Sequence, residues 1–99
     1  MRVQWSLRAR SELRAQRLYI AREQPAAALR LARRVVAAVD RLGAYPYLGR
    51  AATWTARRGL RELPVARTPF VVVYAVDEEH DLVVVLSVIH GAQRRRDFE

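Results

Sequence analysis

Two runs of β-branched and aliphatic residues, TPFVVVYAV and LVVVLSVIH, lie between residues 68 and 90 and are separated by the charged stretch Asp77-Glu78-Glu79-His80-Asp81. Val and Phe at this density suit a pleated surface and the acidic break suits a turn, so the pattern predicts a β-hairpin. Strict alternation sends Phe70, Val72, Tyr74 and Val76 to one face and Val71, Val73 and Ala75 to the other. It likewise sets Leu82, Val84, Leu86 and Val88 against Val83, Val85, Ser87 and Ile89. Neither face is polar, so both need cover.

Upstream, Arg2-Val3-Gln4-Trp5 alternates over a short span and predicts a first strand with Val3 and Trp5 on one face. Ser6 offers an N-cap for a helix to about Glu23, with Ala9, Leu13, Gln16 and Ile20 at helical spacing and Arg8, Arg10, Arg14, Arg17 and Arg22 taking most of the remainder. Gln24-Pro25 breaks that helix and opens a second, which runs to about Leu42 through Ala28, Leu29, Ala32, Val35, Val36 and Val39, with Gly43 as its C-cap. So short a link makes the helices antiparallel neighbours. Residues 44–59 are irregular, and Tyr45, Tyr47 and Trp54 are expected to tuck them onto the end of the helical hairpin, base stacking being the alternative use. Residues 60–65 read as a short strand whose Pro64 suits an edge or an end. The order β-α-α-β-β-β defines an α+β fold: an N-terminal antiparallel helical hairpin on a twisted antiparallel sheet, with the first strand joining the edge of a C-terminal meander. The helices reach only one face of that sheet.

A chain of 99 residues makes a single domain, 1–99, whose basic tail at 91–99 is expected to be mobile. The absence of cysteine excludes a disulfide framework and a thiolate site, and suits a reducing cytoplasm. No apolar run is long enough to span a membrane, and the N-terminus lacks the core of a signal peptide, so a soluble cytoplasmic protein without a membrane partner is expected. The formal net charge is +8 and all 18 basic residues are arginine. Guanidinium favours bidentate pairing with carboxylates or phosphates, which calls for a polyanionic partner, nucleic acid or acidic protein. His80 and His90 lie at opposite ends of a hairpin strand, so neither a metal nor another cofactor is expected. Packed amphipathic helices leave no recognition helix for DNA readout.

Several spaced features run along nearly the whole chain: Val3-x-Trp5; Tyr19-Ile20-Ala21; Pro25-x-x-Ala28; Leu42-x-x-x-Pro46-x-x-Gly49-Arg50; Arg61-Glu62-Leu63; Val73-Tyr74-x-Val76; and Val85-Leu86-x-Val88-x-His90 followed by arginines. In this order they resemble the ParE/RelE superfamily of bacterial type II toxins, its ParE branch most. The resemblance implies a toxin encoded beside a cognate antitoxin, whose C-terminal segment wraps it in a heterodimer or larger oligomer. A wrapping partner would cover the doubly apolar hairpin, with Phe70, Val72, Tyr74, Val84, Leu86 and Val88 as the expected antitoxin-binding residues. Self-association of two such faces is the rival explanation.

The ParE branch implies a non-enzymatic toxin that binds DNA gyrase and stabilises its cleaved DNA complex, blocking replication and growth and stabilising plasmids. The expected target-binding residues are Arg61, His90, Arg94, Arg95 and Arg96, docking on an acidic surface or on gyrase-bound DNA. The alternative is a ribosome-dependent mRNA endonuclease of the RelE type. That chemistry needs a base for the 2′-hydroxyl, an acid for the leaving oxygen and cations on the phosphate. Its candidates are Arg61, Arg67, His90 and the three tail arginines, with Glu62 or Tyr74 as partners. Against it, the chain has no lysine, Val71 stands where some nuclease relatives have arginine, and Gly91 rather than an aromatic follows His90. A gyrase-binding inhibitor is therefore favoured over an enzyme, and no residue is assigned a firm catalytic role.

Overall fold

In the computed structural model, which describes residues 1–93, the elements are β1 (Arg2–Trp5), α1 (Leu7–Ala21), α2 (Pro25–Arg41), β2 (Arg50–Ala51), β3 (Arg61–Pro64), β4 (Phe70–Asp77) and β5 (Leu82–His90), followed by a 3₁₀ turn at Gly91–Gln93. Ser6 is extended and its hydroxyl accepts the Ala9 amide at 3.0 Å, starting α1 as a Ser N-cap does. The same hydroxyl donates to the Leu86 carbonyl at 3.0 Å, so the cap also ties α1 to β5. Pro25 occupies the first turn of α2, and right-handed Leu42, not Gly43, caps its end.

The sheet runs in the order β1-β5-β4-β3-β2, and the helical hairpin packs on one side of it. It is mixed rather than wholly antiparallel, because β1 pairs parallel with β5, Arg2 opposite Leu82 and Trp5 opposite Val85. Alternation decides which face a strand buries and leaves its direction open. β2 adds a two-residue edge strand beside Arg61 and Glu62.

A bulge reassigns the faces of the hairpin. Val73 lies opposite Ser87 but Tyr74 lies opposite Val85, which leaves Leu86 as an extra residue on β5. One inserted residue reverses the alternation beyond it. Val83, Val85 and Val88 consequently all join the core under the helices, with Ala9, Val35, Val39, Leu42, Phe70, Val72 and Tyr74. Of the expected antitoxin-binding residues, Phe70, Val72, Tyr74 and Val88 are thus corrected to core positions, closed off by the chain's own helices. Val84 and Leu86 are half-buried, and Leu86 packs with the opposite face.

That opposite face carries its own small core of Leu60, Val71, Val73 and Ile89, covered in part by Ala52 and Trp54. The 52–59 loop therefore folds over the sheet, and Trp54 does not pack on the helical hairpin as the sequence suggested. Tyr45 and Tyr47 stay exposed. α1 is also less one-sided than its spacing implies: only Ala9 is fully buried, while Leu7 is 80% and Tyr19 70% exposed.

Candidate functional site

Arg61 stands opposite Tyr74 in the β3–β4 ladder, where the 46–49 loop returns over the sheet. The buried Tyr74 hydroxyl donates to the Pro46 carbonyl at 2.8 Å and accepts the Gly49 amide at 2.9 Å. A Cβ at Gly49 would lie 2.5 Å from the Glu62 carbonyl and 2.7 Å from that hydroxyl, so only glycine lets the loop come this close. Arg61 donates from Nη2 to the Gly49 carbonyl at 2.5 Å and stacks 5.1 Å over the Tyr47 ring. Its buried Nε has no hydrogen-bond partner among the described residues. Tyr47 in turn donates its hydroxyl to Glu78, and that bond pushes its titration above the ordinary tyrosine value. Arg61 is thereby committed to holding a loop.

Glu62 alternates to the opposite face and is 3% exposed. Its carboxylate accepts Arg50 Nε at 2.8 Å and the Trp54 indole N–H at 2.7 Å. This buried acid anchors the indole that covers the outer core.

The remaining candidates lie at the other end of the sheet from Arg61. His90 is exposed opposite Phe70 at the end of β5, and its Nδ1 accepts the Ala92 amide at 3.3 Å. Arg67 lies in the β3–β4 turn, at the Phe70 end of the sheet. Arg61 faces Tyr74, four residues along β4 from Phe70, a separation of about 13 Å in a strand. Arg61, Arg67 and His90 therefore do not converge on one point. Arg94, Arg95 and Arg96 lie outside the described residues. Among the described residues no three His, Cys, Asp or Glu side chains gather into a metal site, and no helix is long and apolar enough to cross a membrane.

The sequence reading missed a groove of about 490 Å³ between the helices, lined by Trp5, Arg10, Leu13, Arg14, Arg17, Ala32 and Val36. Arg10, Arg14 and Arg17 recur at i, i+4 and i+7 along α1, and none forms an ion pair among the described residues. On the α2 side Val36 remains 41% exposed, and Leu29, further along the same helix, 46%. The signal was present in α2, where Leu29, Ala32 and Val36 form an apolar stripe beside the buried one of Ala28, Val35 and Val39.

This arrangement of a helical hairpin on a small mixed sheet occurs among toxin–antitoxin proteins. A solved structure described as the chromosomal ParDE TA system from P. aeruginosa shares the fold with a TM-score of 0.76, at 24% identity, covering 91% of this chain and 95% of that one. Sequence narrows the class to a family: residues 3–95 match the profile described as ParE toxin of type II toxin-antitoxin system, parDE, and the chain belongs to that family. Among relatives, the candidate toxin Y4kP of Sinorhizobium fredii is 34% identical over 93 residues, 94% of this chain and 91% of its own. Toxin RelE2 of Caulobacter vibrioides is 42% identical over 91 residues, 92% of this chain and 96% of its own. Family membership implies a cognate antitoxin.

Proposed function

We propose that this ParE-family toxin acts in the cytoplasm by binding DNA gyrase and stabilising its cleaved DNA complex, without cutting RNA itself. The observation that carries this reading is the separation of Arg61 from Arg67 and His90, about 13 Å along the sheet. A nuclease needs its acid, base and phosphate clamp within reach of one phosphodiester, about 3 Å from the reacting atoms. Here Arg61 is spent on the Gly49 carbonyl and His90 lies far along the sheet. A widely spread basic surface favours docking onto an acidic protein or protein-bound DNA instead. Purified toxin is expected to inhibit gyrase supercoiling and to accumulate cleaved DNA. Unaffected gyrase, with message cut on ribosomes, would establish the RelE-type endonuclease, the second reading favoured by the likeness to Toxin RelE2.

For silencing, the α1–α2 groove is the better antitoxin seat, since four of the six sheet residues expected to serve are inside the core. An amphipathic antitoxin helix would set apolar side chains against Leu13, Ala32 and Val36 and carboxylates against Arg10, Arg14 and Arg17. Val84 and Leu86 remain available for an extended part of the same segment. Coexpression with the adjacent gene should copurify a small acidic protein, and Arg14→Glu should release it.

A further inference from the structure

We propose that the cleft between α2 and the β3–β4 turn is a separate docking site for an extended acidic peptide segment carrying an aliphatic side chain. The cleft holds about 250 Å³ over a floor that includes Ala38, Leu63 and Val65, rimmed by Arg34, Arg41 and Arg67. Arg34 and Arg41 are seven residues apart on α2, about 10 Å along the helix, and Arg67 closes the triangle from the turn. None of the three has a carboxylate partner among the described residues, and Arg34 donates only to the Arg67 carbonyl, at 3.3 Å. Three guanidiniums around one hollow lack their anions.

The backbone under Arg67 adds a second, independent argument. Its φ is 61°, in the left-handed region where an L-residue pays roughly 1–2 kcal/mol that glycine avoids. The turn is pinned there because the Val65 carbonyl accepts both the Thr68 amide and hydroxyl, while that hydroxyl accepts the Phe70 amide. Arginine at a backbone position that glycine would relax is a strained outlier, and this strain is held at the rim of the cleft. The floor selects among anions: it has no aromatic ring on which a base could stack, but it accepts an aliphatic group. Pro64, without an N–H at the end of β3, hinders strand addition at that edge, so the occupant is held by side chains.

The test is fluorescence anisotropy of the full chain with a labelled decapeptide of alternating glutamate and leucine, its glutamate–serine counterpart, and a ten-nucleotide oligothymidine. The glutamate–leucine peptide is expected to bind about tenfold more tightly than either other probe. Arg41→Gln and Arg67→Gly should each weaken it roughly five- to tenfold, while Arg58→Gln, outside the cleft, leaves it within about twofold. Arg67→Gly should keep or raise Tm, separating lost binding from lost folding. Equal binding of the two peptides, tighter binding of the oligonucleotide, cleft variants that bind like the parent, or a fall in Tm for Arg67→Gly would each overturn the proposal.

Discussion

The Glu12 carboxylate of α1 accepts the Ser87 hydroxyl of β5 at 2.5 Å, and the same oxygen accepts the Val88 amide at 3.2 Å. The bulge at Leu86 takes these groups out of the regular ladder, and the helix returns an acceptor to them. Glu12→Ala strands both at a buried position and should cost roughly 2–3 kcal/mol, a fall in Tm of about 10 °C or more. Glu12→Gln keeps an acceptor oxygen and should lose less than half as much. Urea unfolding of the two variants measures the difference.

Gly49 and Gly59 should respond differently to alanine. At Gly49 the new methyl meets the Glu62 carbonyl and the Tyr74 hydroxyl, both held in place, so the loop must move and stability should fall by about 2 kcal/mol or more. At Gly59 the space is open and only the left-handed backbone, φ +81°, resists, for a cost of about 1 kcal/mol. Paired thermal melts rank them.

Glu62 reports on the outer cover. Glu62→Ala removes the acceptor of the Trp54 indole and the Arg50 guanidinium, and should destabilise by roughly 2–3 kcal/mol. Trp54 emission should shift to the red as the indole leaves the sheet, with Trp5→Phe as background to isolate its signal.

At the β4–β5 turn, the hydrogen bond from His80 holds the Asp77 carboxyl below its ordinary value. A lowered folded pKa stabilises above the unfolded value and is lost as pH falls through the folded one, so any contribution begins to fade near about pH 4 and is lost only at more acid pH. The pair is exposed, so salt should weaken it. Carboxyl NMR titration should find Asp77 low in the parent and raised toward, though not fully to, the usual range in His80→Ala, where the backbone amide of residue 80 still donates to it.

Local pattern was enough for most elements. Ser6 and Pro25 mark the helix starts where the structure has them, and the acidic stretch after Val76 is the hairpin turn. What failed to be readable was set by distant partners. The direction of β1 depends on Leu82 to Val85, and the bulge at Leu86 depends on Glu12, some 75 residues away in sequence. That single bulge moved Val88 into the helix-side core, and with it went the strict face assignment. Trp54 could be seen as an aromatic needing cover, but its acceptor, the buried Glu62, could not be identified from spacing. Among candidate site residues Arg61 drew notice for its charge, whereas its structural duty depends on Gly49 and Tyr47.

The parallel pairing of β1 with β5 joins the first strand to the last, so its effect is felt during synthesis. While α1, α2 and the strands up to β4 emerge, β1 has no strand to pair with, and its groove in the sheet does not exist until residue 85 is made. Contacts between such remote segments form late because a long loop must close first. Nascent chains that stop before residue 82 therefore lack both the mate of β1 and the Ser87 hydroxyl that meets Glu12. The sheet under the helical hairpin therefore closes only after residues 82–85 have been made, some 80 residues after the strand they receive.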